Sequence, residues 1–135
     1  MGVISDLKRH EGFRATPYRC PAGKLTIGYG INLDAGITED EAELLLKSRI
    51  EKIRAQMDIR FTWWRDLDWE RQSVLVNMAY NLGFDGLLKF KKMLNRIANK
   101  DYDGAAREML ESKWAIQVKE RSNELAHIMM GGSAI

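Results

Sequence analysis

A single cysteine, two prolines and two histidines stand among the 135 residues, and each scarcity closes off a class of protein. With Cys20 alone no intramolecular disulfide can form, so the chain does not depend on an oxidising compartment to fold. His10 and His127 have no metal-ligand spacing with each other or with Cys20, which leaves metal catalysis unsupported, and neither a metal nor a cofactor is expected. No apolar run approaches the length of a membrane span, and the segment MGVISDLKRHEG lacks the apolar core of a signal peptide, so synthesis and folding in a cytoplasm without stable membrane insertion are expected. Charge of one sign is also scarce. Lys and Arg alternate with Asp and Glu to leave a formal net charge of +2, too little for a nucleic-acid stripe but compatible with a mildly acidic glycan. There is no internal repeat and no low-complexity linker, and Gly131-Gly132-Ser133 reads as a frayed end.

What remains is the composition of one soluble domain, 45% hydrophobic and 30% charged, long enough to bury roughly two thirds of the surface its unfolded chain exposes. The stretch from His10 to Gly30, HEGFRATPYRCPAGKLTIGYG, organises it. Ile4 and Leu7 fall at helical spacing, so Glu11 closes a short first helix that Gly12 stops by a left-handed conformation. Pro17, Pro21 and Gly23 are turn-formers, while Tyr18, Leu25, Ile27 and Tyr29 favour a small hairpin interrupted by Gly28 and Gly30. A carboxyl leaving a helix opposite a hairpin makes a concave wall across which a substrate can lie.

From Thr38 the pattern turns helical. Thr38-Glu39-Asp40-Glu41 has the form of a capping box, and Ala42, Leu45, Leu46, Ile50, Ile53 and Met57 keep one apolar face over about five turns. That helix is long enough to bridge two lobes. After an aromatic, irregular stretch from Phe61 to Leu67, Asp68 caps a helix carrying Val74, Leu75, Met78, Ala79 and Leu82 that Gly83 ends. This helix is apolar nearly all round and is expected at the centre of the second lobe. Further helices are expected over Gly86 to Ala98, Asp101 to Ser112 and Trp114 to Met130, the last broken near Val118. Trp63, Trp64 and Trp69 read as packing between helices, and Trp114 as core. The fold class is α+β, predominantly helical, with a small antiparallel sheet lobe, a long connecting helix and a helical C-terminal lobe.

Glu11, eight residues, Cys20, five residues and Thr26, set inside EG and TIGYG, resemble the pattern of the phage-type lysozymes, glycoside hydrolase family 24, whose best-known members come from T-even phages. The resemblance continues through NMAYNLG at Asn77 to Gly83, Ser112-Lys113-Trp114 and Arg121, and so covers nearly the whole chain. This sequence departs from the T-even members in having Cys20 where they carry Asp and Ile31 where they carry His. The resemblance implies a single lysozyme-like domain over 1–135, with a sheet-bearing lobe and connecting helix over about 12–60 and a helical lobe of 61–135 plus the N-terminal helix 1–11.

The activity it implies is that of an endolysin-type muramidase, cutting the β-1,4 bond between N-acetylmuramic acid and N-acetylglucosamine in bacterial peptidoglycan by inversion through a bound water. Such a reaction needs a proton for the leaving oxygen and a group on the other face of the sugar. Glu11 is the only reasonable donor in the stretch. Partial burial against the hairpin would raise its pKa, while Arg121, which the resemblance assigns as its support, would lower it. Cys20 has three roles open: thiolate nucleophile, base acting through water, or a polar wall that leaves room for water, and the first two need a lowered pKa. The resemblance gives the Thr26 hydroxyl the task of holding the water. Asn77, Tyr80 and Asn81 share a helical face by their spacing and suit sugar hydroxyls and peptide stems, and Tyr29 joins them as a substrate-binding candidate. A lytic transglycosylase and a non-catalytic peptidoglycan-binding module are the competing readings. The expected setting is a monomer held in the host cytoplasm until a separate holin-like partner opens a route to the wall.

Overall fold

Gly12 ends the first helix, α1 (Val3–Glu11), by a route only glycine takes easily: its φ is +70° with an extended ψ of 151°, and its N–H donates to Lys8 O. The chain therefore leaves the helix directly into a strand instead of curling into an αL cap. Strands β1 (Arg14–Arg19), β2 (Leu25–Gly28) and β3 (Ile31–Asn32) form an antiparallel sheet in the order β1-β2-β3. Tyr18 pairs with Thr26, and Thr26 with Asn32 across the other edge. Pro17, expected in a turn, lies instead inside β1, where the register shifts between Arg14 and Tyr18. A residue without an N–H is tolerated at such an irregularity on an edge strand.

The computed structural model describes residues 2–132. Its contacts divide the chain into two compact units, Met1–Leu45 and Leu46–Ile135, with the boundary inside helix α2 (Glu39–Arg60) and α1 in the first unit. The capping box at the start of α2 is reciprocal. Glu41 N–H donates to Thr38 Oγ1 at 3.1 Å and Thr38 N–H to Glu41 Oε1 at 2.8 Å, which holds the Glu41 carboxyl below its usual range through the Thr38 donors. Of the apolar face expected along α2, only Ile53 and Met57 are buried, whereas Leu45 and Leu46 are exposed.

The second unit is helical throughout: α3 (Trp69–Leu82), α4 (Phe84–Leu88), α5 (Lys91–Ala98), α6 (Tyr102–Leu110), α7 (Lys113–Gln117) and α8 (Lys119–Met129). Asp68 caps α3 by accepting from Arg71 N–H. Val74, Leu75, Val76, Met78 and Ala79 are all buried, so this helix is enclosed on most of its circumference and is the centre of the core. Leu87, Met93, Ile97, Met109, Leu125 and Met129 close around it. The helix expected over Gly86 to Ala98 is two helices. Phe90 leaves helical geometry at ψ 56° and sets its ring edge-on to Trp114, 6.1 Å between centroids, so an aromatic contact distant in sequence breaks a pattern that local propensity would have continued. The last helix is broken at Val118 (φ −124°, ψ 43°) as its sequence suggests. Gly131 and Gly132 are not loose: their N–H groups donate to Ile128 O and His127 O at 2.9 Å each; Ser133 lies outside the described residues.

Candidate active site

Two glycines of positive φ, Gly28 (+65°) and Gly30 (+71°), turn the chain between β2 and β3. The second does more than turn. A Cβ built on Gly30 would fall 2.6 Å from Glu11 Cδ and would collide with Oε2, so the Glu11 carboxyl lies against bare backbone where any side chain would displace it. The carboxyl is exposed. Glycine gives it a seat without covering it, and the partial burial expected for Glu11 is not found. Tyr29, between the glycines, points its half-exposed ring at Phe13, 5.6 Å between centroids, with Lys8 Nζ 5.6 Å from its face.

Cys20 and Thr26 are held by the turn that joins β1 to β2. Cys20 N–H donates to Lys24 O at 2.9 Å, Gly23 N–H to Cys20 O at 2.8 Å, and Arg19 Nη1 to Gly23 O at 3.1 Å. One residue before Thr26, Leu25 N–H donates to Asp34 Oδ2 at 2.9 Å, and Asn32 Oδ1 accepts from Asp34 N–H, which pins the strand. Thr26 is 4% exposed and its hydroxyl donates to Lys24 O at 2.9 Å. The Cys20 thiol is held below its ordinary pKa, foremost by the backbone N–H of Lys24. The N–H of Ala22, the Thr26 hydroxyl and its own N–H act in the same direction, against partial desolvation. Hydrogen bonds that favour the thiolate are the feature that separates a reactive cysteine from a structural one.

Three of the four candidates of the second unit share one groove. Asn77, Tyr80 and Arg121 line a groove of about 480 Å³ that also takes in Leu46, Ile50 and Trp69. Within it Arg121 Nε donates to Asn77 Oδ1 at 2.8 Å, and Tyr80 is half-exposed. Asn81, expected on the same face, accepts instead from Trp114 Nε1 at 2.7 Å. It satisfies the indole of a buried Trp114 and does not line the groove, because one further step around the helix carries it to the α7 side.

Trp69, read from sequence as packing, is 63% exposed and carries the Arg54 guanidinium 4.5 Å above its ring. Trp64 is buried, and Trp63 stacks on Phe61. The second groove, of about 740 Å³, opens beside Trp114 and is edged by lysines, with Glu108 among its lining. Nothing in the sequence singled out Glu108 or these lysines. No helix among the described residues is long and apolar enough to cross a membrane.

Comparison with known proteins finds that residues 8–127 match the family model for phage lysozyme. An endolysin of Acyrthosiphon pisum secondary endosymbiont phage 1 is 28% identical over 113 residues, covering 81% of this chain and 74% of that protein. A probable T4-type lysozyme of Dictyostelium discoideum is 28% identical over 114 residues, covering 79% and 67%. The pre-baseplate central spike protein of Enterobacteria phage T4 is 26% identical over 164 residues, which take in 98% of this chain but 28% of the spike protein.

Proposed function

The chain belongs to the phage lysozyme family, a family of glycoside hydrolases, and from that premise we propose that it is an endolysin-type muramidase hydrolysing the β-1,4 bond between N-acetylmuramic acid and N-acetylglucosamine of bacterial peptidoglycan. The observation that supports this reading is the contact of the Glu11 carboxyl with the bare Cα of Gly30, which leaves a candidate proton donor exposed at the mouth of the hairpin. Glu11 protonates the glycosidic oxygen, the bond to the anomeric carbon breaks, and water adds to the opposite face. Its proton passes to the Cys20 thiolate, and the two groups exchange protons with solvent before the next turn.

Of the roles open to Cys20, base through water agrees best with the lowered thiol and with the inversion that the family resemblance implies; a thiolate nucleophile would give retention. Thr26, whose hydroxyl sits beside Cys20, is the holder of the water. Arg121 is the supporting cation of the proposal, and Tyr29, Asn77 and Tyr80 its sugar and stem contacts, with Asn81 acting through Trp114. The single-domain reading of 1–135 belongs to the same proposal. So do a monomeric protein, storage in the host cytoplasm and release by a separate holin-like partner; recovery of the protein from the periplasm without such a partner would overturn the last.

Release of reducing ends from purified peptidoglycan, compared between wild type and Glu11→Gln, tests the reading. Loss of the general acid is expected to cost on the order of 10² to 10⁴ in rate. Anhydro ends from the wild type would identify a transglycosylase, and no fragments from a protein that still pellets with the wall would identify a binding module.

A further inference from the structure

Asp34 spends its carboxylate away from its own turn. β3 ends at Asn32 and the chain enters a single 3₁₀ turn, Leu33–Ala35, where Asn32 Oδ1 caps the start by accepting from Asp34 N–H at 3.0 Å. The ladder between β2 and β3 pairs Thr26 with Asn32 and Ile27 with Ile31, so β3 has no residue left to pair with Leu25. The Asp34 side chain reaches back nine residues and takes that place: Leu25 N–H donates to its Oδ2 at 2.9 Å. Asp34 is in no ion pair among the described residues. The other half of the same peptide unit is the Lys24 carbonyl, which accepts twice, from Cys20 N–H and from the Thr26 hydroxyl, at 2.9 Å each. One peptide group thus joins a carboxylate on its N–H side to two of the three residues of the candidate site on its C=O side.

We propose that Asp34 is a positioning residue of the hydrolysis, acting on Thr26 through the Lys24–Leu25 peptide. A charged acceptor makes a hydrogen bond roughly twice as strong as a neutral one. It also draws the electron density of the peptide toward the carbonyl oxygen, so the bonds at the two ends of the unit strengthen each other. The Thr26 hydroxyl has one proton and two lone pairs. With that proton held on Lys24 O, Thr26 offers a water only its lone pairs. A water seated there gives one proton to Thr26 Oγ1 and turns the other to the Cys20 thiolate, which leaves its own lone pair to form the bond to the anomeric carbon as the second proton passes to sulfur. Asp34 therefore fixes the direction in which Thr26 hydrogen-bonds, and with it the face of the water that is nucleophilic. The inference rests on the reading of Thr26 as the holder of the water.

The test is a double-mutant cycle on the full chain, read as kcat and KM for reducing-end release from soluble, un-cross-linked glycan strands, with a melting curve for every variant. Asp34 is exposed and its carboxylate does not cap the turn, so Asp34→Ala is expected to fold. It should lose on the order of tenfold in kcat, the worth of a hydrogen bond to a charged group, with KM changed by no more than about twofold. Asp34→Asn, which keeps an acceptor for Leu25 N–H without its charge, should lose about threefold and carries the test if Asp34→Ala is unstable. In the Thr26→Val background neither change should lower kcat by more than about twofold, because the hydroxyl on which both act is gone. A carboxylate that only braced the sheet would lower kcat by the same factor in both backgrounds. That result would overturn the proposal, as would a loss confined to KM or wild-type kcat in both Asp34 variants. Thr26→Val with unaltered turnover would remove the water-holding reading and this inference with it, whereas lowered turnover in Thr26→Val with equal Asp34 losses in both backgrounds removes this inference alone.

Discussion

Adding one methyl group at Gly30 tests whether the acid is positioned by an absence. Gly28 and Gly30 both sit at positive φ, so Gly→Ala at either costs about 1–2 kcal/mol of backbone strain, or roughly 4–8 °C in melting temperature for a chain of this size. The two differ in what the new Cβ meets. At Gly28 it finds Ile31 Cδ1 at 3.6 Å, an ordinary contact, whereas at Gly30 it lands 2.6 Å from Glu11 Cδ. The glutamate is flexible and swings aside at little cost in stability, but the acid then moves by about 1 Å, which is worth on the order of 10²-fold in rate. Reducing-end assays on purified peptidoglycan with matched melting curves should therefore show two variants of similar stability, of which only Gly30→Ala loses activity. Equal activity in the two would refute the seating argument.

Four further outcomes follow from the same geometry. Cys20→Ser is expected to lose much of the activity and Cys20→Asp to keep a useful part, and equal rates for wild type and serine would remove the thiol from the chemistry. Thr26→Val keeps shape and removes a hydroxyl bonded at 2.9 Å to Lys24 O; turnover should fall with at most about 1 kcal/mol lost in urea titration, and unaltered turnover would count against the water-holding role. Asn81→Ala leaves the indole N–H of buried Trp114 unpaired and should destabilise the second unit by about 1–3 kcal/mol in chemical denaturation. Asp101 is held below the usual carboxylate range, first by the Gly104 N–H at the start of α6 and then by Arg96. Because its folded pKa is depressed, its contribution is present above pH of about 4 and is lost as pH falls through the folded value, so Asp101→Asn should flatten the acid limb of stability against pH in urea titrations, and an unchanged acid limb would count against the cap.

Where a structural decision depends on neighbours in sequence, it was legible. Thr38 and Glu41 cap each other across three residues, Gly12 stops α1 within its own turn, and Val118 breaks the last helix where its pattern falters. Decisions made by distant partners were not. Phe90 has no breaker beside it and leaves helical geometry to meet Trp114, and Asn81 turns from its apparent face to satisfy the same indole. Trp69 sits among tryptophans that do pack, so only the structure distinguishes its exposure beside Arg54. Glu11, Cys20 and Thr26 stand out in the sequence only through their resemblance to a family pattern; Gly30 was visible as a turn-former, but its contact with Glu11 depends on where α1 ends relative to the hairpin. Glu108 carries no local signal at all, since a glutamate within a helix is ordinary until the surrounding helices close over one of its oxygens.

The most direct test of the account is digestion of purified peptidoglycan in ¹⁸O-labelled water with mass analysis of the fragments, using Glu11→Gln as the control. The account predicts one labelled oxygen at each new reducing muramic acid end with the wild type, and the same ends formed on the order of 10² to 10⁴ more slowly with Glu11→Gln. Unlabelled anhydro ends, or labelled ends at undiminished rate from the variant, would contradict it.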